Sequence, residues 1–223
     1  MSDQTPQTRW AQLSGGASGP DYAARFDAMA AAGQDIHGEA SLCAALVSRP
    51  ARVLDAGCGT GRVARRLTDL GYDCVGVDAD ASMLAVARAS AAGSHRTHPV
   101  WVLGDLSILD LEQHGIPGGF DLCVCAGNVI PLLAEDTLES TVAALTGTLR
   151  PGGLLVTGFG LDSAHLPGNC PVTPLASYDH ACSEAGMEQL VRYSTWQGTA
   201  FADDGGYAVS VHRRTPDLPT QAP

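Results

Sequence analysis

Not one of the 223 residues is Lys: all thirteen basic side chains are Arg, set against 24 Asp and Glu, for a formal net charge of −11. Without Lys there is no amine for a Schiff base and no Walker-type phosphate loop, so nucleoside triphosphate chemistry is not expected. An acidic surplus of this size argues against a nucleic-acid partner, whose phosphates need clustered cations. The cluster Arg62, Arg65 and Arg66 is read as the solvated face of a helix. Aromatic residues are scarce at 5%. Apolar runs long enough to cross a bilayer are absent, so no membrane association is expected. The polar amino-terminal stretch lacks the apolar centre of a secretory signal, which points to a cytoplasmic location. Seven cysteines occur, but with no C-x-x-C and no His cluster at zinc-ligand spacing, so neither a metal nor a disulfide is expected. They read as small buried hydrophobes, with Cys123 and Cys125 two apart on one face of a strand.

What is present is a chain long enough for one sizeable core and short for two. Residues 1–20 read as a flexible amino-terminal segment, 21–214 as a single domain, and 215–223 as a disordered tail. Tyr22, Phe26 and Met29 recur at helical spacing behind Asp21 as N-cap, and a second helix is expected over Ala40–Val47. Together residues 21–50 form a helical lid in one reading. In the other, the glycine-flanked loop Gly33–Glu39 is a plain connector. From Arg52 onward strands alternate with helices. Strands are expected at Arg52–Asp55, Cys74–Val77, Val100–Leu103, Phe120–Cys125 and Leu154–Phe159. Helices are expected after Gly61, over Ser82–Ala91, and over Thr137–Leu149 with Asp136 and Glu139 as a capping-box-like pair. Two further strands, Leu190–Trp196 and Tyr207–His212, read as an antiparallel pair. The fold class is therefore α/β: a doubly wound, mostly parallel, seven-stranded sheet ending in antiparallel strands.

The stretch Val53–Leu67, VLDAGCGTGRVARRL, describes a strand, a glycine turn and a helix in fifteen residues. Gly57, Gly59 and Gly61 alternate through the turn, where glycine permits a sharp bend and close approach to a ligand, and the helix N-terminus faces that ligand. The register Gly59, Gly61, Ala64 loosely satisfies the dinucleotide pattern G-x-G-x-x-G/A. The register from Gly57, with Asp55 two residues ahead, resembles motif I of the class I S-adenosylmethionine-dependent methyltransferases. Asp78 closes the second strand, where a carboxylate can hold both hydroxyls of a ribose. Asp105 follows the third strand, and the turn LRPGG at Leu149–Gly153 precedes the fifth. These marks stand in that family's order over about Ala51–Phe159.

The resemblance implies a Rossmann-like methyltransferase fold and S-adenosyl-L-methionine as cofactor. It implies that Asp55, Gly57, Cys58, Gly59 and Gly61 organise the amino-acid end, Asp78 and Ala79 the ribose, and Asp105 and Leu106 the adenine. Ala126 and Gly127 would then lie beside the transferring methyl. Asp105 also reads as a turn former, and Asn128 either as an orienting amide or as a turn residue. His37, His165 and Asn128 are the candidate catalytic residues, with Asp162 available to orient His165. Tyr178, Asp179, Arg192 and Trp196 are weaker pocket candidates. No N-P-P-Y or D-P-P-Y follows the fourth strand, which turns the expectation away from adenine or glutamine amino groups and toward a small-molecule acceptor. The expected protein is a monomer or homodimer. An NAD(P)-dependent oxidoreductase and a non-catalytic S-adenosylmethionine-binding module are the alternatives.

Overall fold

The computed structural model describes residues 7–15, 18–90 and 98–216. Seven strands form one sheet: β1 (Arg52–Ala56), β2 (Asp73–Asp78), β3 (Val100–Leu103), β4 (Phe120–Cys125), β5 (Leu149–Gly160), β6 (Met187–Tyr193) and β7 (Tyr207–Arg214). Their order is β3-β2-β1-β4-β5-β7-β6. The first five pair in parallel, while β7 lies antiparallel to both β5 and β6. The direction of winding reverses between β1 and β4. In open α/β sheets, ligands bind at the strand carboxyl ends beside such a point.

Strand alternation explains the two packed faces. In β4, Cys123 and Cys125 point into one core with Leu54, Phe159 and Tyr178. Leu122 and Val124 point into the other, with Val53, Val63 and Leu67. This is the period-two geometry of a strand buried on both sides. The first core is covered by α7 (Leu138–Thr148) and α8 (Leu175–Glu184), the second by α3 (Gly38–Leu46) and α4 (Arg62–Asp69). All seven cysteines are buried and unpaired.

Several boundaries differ from expectation for local reasons. Residues 9–14, expected within a flexible segment, form α1 (Arg9–Ser14), where the Thr8 side chain accepts from the Ala11 N–H at 3.1 Å. The helix expected to begin at Asp21 is α2 (Gly19–Ala31), with Ser18 at its N-cap and Pro20 in its first turn. The Asp136/Glu139 capping pair does not form. Asp136 takes a left-handed backbone (φ 58°), and the Thr137 hydroxyl donates to the Ala134 carbonyl instead. β5 begins at Leu149, five residues before its expected start, because Leu149 already pairs with Phe120 before a register shift. The helix expected over Ser82–Ala91 is α5 (Ala81–Ala89), capped by Asp80, and Ala91 lies outside the described residues. So does most of the tail, from 217 on. A short α6 (Val129–Leu132) follows β4.

Arg62 is not on a solvated face. Only 13% of its side chain is exposed, and both Glu39 oxygens accept from it, at 2.5 and 2.8 Å. The Ile36 carbonyl also accepts from it, and its guanidinium lies 4.5 Å from the centre of the Phe26 ring. The helical period located Arg62 on α4, but the loop between α2 and α3 covers that face.

Candidate active site

The glycine turn is held from beneath by three of the residues expected to touch a ligand. Asp55, 2% exposed at the end of β1, accepts from the Ala64 N–H at 3.0 Å. A carboxylate thus occupies the N-terminal turn of α4, tying strand to helix. Gly61 takes φ +79°, and a Cβ there would stand 2.3 Å from the Trp101 ring. Cys58 is buried under the turn, where its sulfur would crowd any side chain at Gly76, and burial pushes its thiol well up. Backbone N–H groups of Gly57 and Cys58 both donate to the Val77 carbonyl, at 2.8 and 2.9 Å, which binds the turn to β2. This arrangement weighs against the dinucleotide register. Its pyrophosphate would need the N-terminus of α4, where the Ala64 N–H is already committed to Asp55, and its second glycine serves Trp101.

Burial pushes the Asp55 carboxyl up from 3.8 to about 7, against the opposing pull of the Ala64 N–H and the Arg62 charge. On β7, burial lowers His212 from 6.5 to about 4. Its imidazole packs edge-on to Tyr178 with ring centres 5.5 Å apart. The two groups act on stability with opposite signs. Asp55 binds its proton more tightly when folded, so its contribution is complete below pH 3.8 and is lost as pH rises to about 7. His212 binds its proton less tightly when folded, so its contribution is present above pH 6.5 and is lost as pH falls to about 4. Between those limits they offset one another, each worth roughly 3–4 kcal/mol across its full range. Asp55→Asn removes one slope. In urea unfolding the variant should gain on wild type as pH is raised from about 5 to about 8, and should show a steeper acid limb below about pH 6. Parallel pH profiles for the two proteins would contradict this assignment.

Above the turn lies an open groove at the carboxyl ends of the strands. Eight of the expected residues line it: Gly57 and Gly59 from the turn, Asp78 and Ala79 after β2, Asp105 and Leu106 after β3, and Ala126 and Gly127 after β4. Gly57 (φ +73°) leaves no room for a side chain, since a Cβ would stand 2.4 Å from Val129. The Asp78 carboxylate is oriented by two backbone donors, Gly59 N–H at 2.7 Å and Asp80 N–H at 2.8 Å, one on each oxygen. A carboxylate has about four acceptor positions, so each oxygen keeps one for a ligand. Burial raises the Asp78 pKa, opposed by these same bonds. Asp105 accepts from the Ser107 N–H (2.8 Å) and hydroxyl (2.7 Å) through one oxygen, so it caps a short turn while its other oxygen is left for the groove.

Sequence reasoning missed the rest of the lining: Thr8, Trp10, Tyr22, Met83, Val129, Leu132 and Leu133. Trp10 donates to the Asp80 carboxylate at 2.9 Å and meets Tyr22 edge-on, with centroids 6.1 Å apart. Thr8 two residues ahead of Trp10 was the legible sign of a capped helix here. Nothing in periodicity alone would have turned Tyr22 from core to groove.

The catalytic candidates divide. Asn128, with a left-handed backbone (φ +66°), accepts from the Gly160 N–H at 2.7 Å and donates to the His165 carbonyl at 3.0 Å. Its amide is thereby committed to joining the ends of β4 and β5. His165 Nδ1 lies 2.8 Å from Asp162 Oδ1, both side chains about half exposed, and this contact holds the Asp162 carboxyl below its ordinary value. His37 stands at the N-terminus of α3, its Nδ1 buried without a hydrogen-bond partner among the described residues. Tyr178 is not in the groove: it is fully buried and bonded to Thr157 at 2.8 Å. Asp179 and Arg192 pair with each other at 2.5 Å. Trp196 packs over Gly158 in β5.

A family model described as a methyltransferase domain matches residues 53–153. Over 116 residues, 52% of this chain and 41% of the relative, the sequence is 36% identical to a malonyl-[acyl-carrier protein] O-methyltransferase of Enterobacter lignolyticus. Over 114 residues, 47% of this chain and 39% of the relative, it is 35% identical to glycine N-methyltransferase of Mus musculus. The chain thus spans about two fifths of the length of these curated relatives. Among solved structures, a TehB-like SAM-dependent methyltransferase from Corynebacterium glutamicum is 33% identical. It superimposes with a TM-score of 0.76 over 89% of this chain and 99% of that one.

Proposed function

The chain belongs to the class I S-adenosylmethionine-dependent methyltransferase family, and from that membership we propose that it transfers a methyl group from S-adenosylmethionine to a small-molecule acceptor. The observation that carries the assignment is Asp78: an oriented carboxylate with an open acceptor position on each oxygen, facing a groove whose floor is glycine. That group suits a ribose diol, and the rest of the lining fits the remainder of the cofactor. Asp105 and Leu106 suit the adenine, and the turn at Gly57–Gly59 suits the amino-acid end. When bound, the cofactor supplies a sulfonium methyl already activated for displacement. The protein's task is then alignment and exclusion of water.

Trp10 and Tyr22 support a covering role for the amino-terminal helices, with the loop before α3 anchored on Arg62 through the Ile36 carbonyl. Asn128 is proposed as a positioning residue, because both ends of its amide engage backbone groups. The His165–Asp162 pair is proposed as the base for an acceptor that carries a dissociable proton. His37 is proposed as a polar wall of the acceptor side.

Asp78→Ala tests the assignment. Adenosylhomocysteine affinity by isothermal titration calorimetry should fall by about 10- to 1000-fold, the loss of two charge-assisted hydrogen bonds. Circular dichroism should be unchanged. An affinity equal to wild type would remove the ribose role, and binding without turnover against a broad acceptor panel would replace the enzyme with a binding module.

A further inference from the structure

Two tyrosine hydroxyls stand over neighbouring glycines, Tyr22 within the lining of the cofactor groove and Tyr207 outside it. Tyr22, on α2, places its hydroxyl 3.7 Å from where a Cβ of Gly127 would stand, and its ring edge 3.7 Å from the same point on Gly59. It therefore bridges the glycine turn and the end of β4. Tyr207, the first residue of β7, places its hydroxyl 3.0 Å from the Cβ position of Gly158. Gly158 and the residues after β4 are adjacent, because the Asn128 N–H donates to the Gly158 carbonyl. The Tyr207 oxygen accepts from Trp196 Nε1 at 3.3 Å, which fixes its position. Among the described residues no hydrogen bond reaches the Tyr22 hydroxyl.

We infer that Tyr22 and Tyr207 form the acceptor clamp of this enzyme and that the acceptor is a small amine. The inference rests on the methyltransferase reading above. Burial raises the pKa of both phenols, so they stay neutral and serve as hydrogen-bonding walls. The carboxylate whose charge both tyrosines feel, Glu39, is held by Arg62 and is not a free base. An amine that arrives as its ammonium gives one proton to the His165–Asp162 pair proposed above and still has two N–H groups for the phenols, where a hydroxyl that has lost its proton has none. Phenolic oxygens accept from the amine's N–H and leave its lone pair aimed at the methyl. The nitrogen forms the new N–C bond as the C–S bond breaks onto sulfur, and the resulting ammonium gives its proton to water. A net charge of −11 favours approach of such cations.

The test uses sinefungin, an adenosyl compound that carries an amine where the sulfonium methyl stands, compared with adenosylhomocysteine, which carries nothing there. In calorimetry the full-length protein should bind sinefungin at least about tenfold more tightly, the worth of one charge-assisted hydrogen bond. Tyr22→Phe and Tyr207→Phe should each reduce that preference several-fold, and the double variant should erase it, with sinefungin affinity falling far more than adenosylhomocysteine affinity. Equal affinities in wild type, or variants that weaken both compounds alike, would overturn the clamp while leaving the cofactor site intact. Failure of both compounds to bind would overturn the cofactor reading itself, and the clamp with it.

Discussion

Gly59→Val should abolish cofactor binding while the fold persists. Gly59 sits in the left-handed region (φ +54°), which a β-branched residue adopts only under strain. It also lines the groove, so valine methyls would project toward Tyr22 and Met83, 3.7 and 4.0 Å from the Cβ position. A backbone shift to relieve the strain would withdraw the N–H that fixes Asp78 at 2.7 Å, so both responses damage the same site. The expected loss of adenosylhomocysteine affinity is at least about 100-fold, or roughly 2.7 kcal/mol. Because the Cβ position is not blocked by backbone, unfolding should shift far less than binding. A variant that binds at wild-type strength would take the turn out of the site.

Arg62→Ala carries the largest expected cost in stability. Its partner Glu39 is 16% exposed in its side chain, and the substitution leaves that carboxylate and the Ile36 carbonyl without their donor. Breaking a largely buried pair by removing one member costs about 3–5 kcal/mol. It also removes the guanidinium from the Phe26 ring. Arg62→Lys should recover only part of the loss, since an ammonium cannot meet both carboxylate oxygens in a planar fork. The double variant Arg62→Ala/Glu39→Gln should be more stable than Arg62→Ala alone, because the stranded charge is gone. Urea unfolding measures all three. A cost below about 1 kcal/mol for Arg62→Ala would mean that the pair behaves as an exposed one.

How far the site was legible depended on whether its residues act through local geometry. Gly57, Gly59 and Asp78 were readable because a strand end, a turn and a helix start lie within a few residues of one another. Their positions in the sequence nearly dictate their positions in space. Asp55 and Gly61 belong to the same run, yet they face away from the groove. One is turned under α4 by the Ala64 N–H, and the other is pressed against Trp101, forty residues further on. Spacing could not separate these roles, since only the contact with a distant side chain distinguishes them. Tyr22 illustrates the opposite limit, because helical periodicity can mark a face of α2 but cannot say what that face meets.

The chain by itself determined the alternation of strands and helices, the two-sided burial of β1 and β4, the glycine turn and the acids at successive strand ends. Each of these follows from backbone preferences and from hydrophobic periods only a few residues long. Tertiary structure decided which motif residues face the groove, that Arg62 holds the loop before α3, that Asn128 joins two strand ends, and that Tyr22 stands over Gly127 and Tyr207 over Gly158. Those roles come from contacts between residues 20 to 180 positions apart in the chain, set by how the helices close over the sheet, and no local preference encodes them.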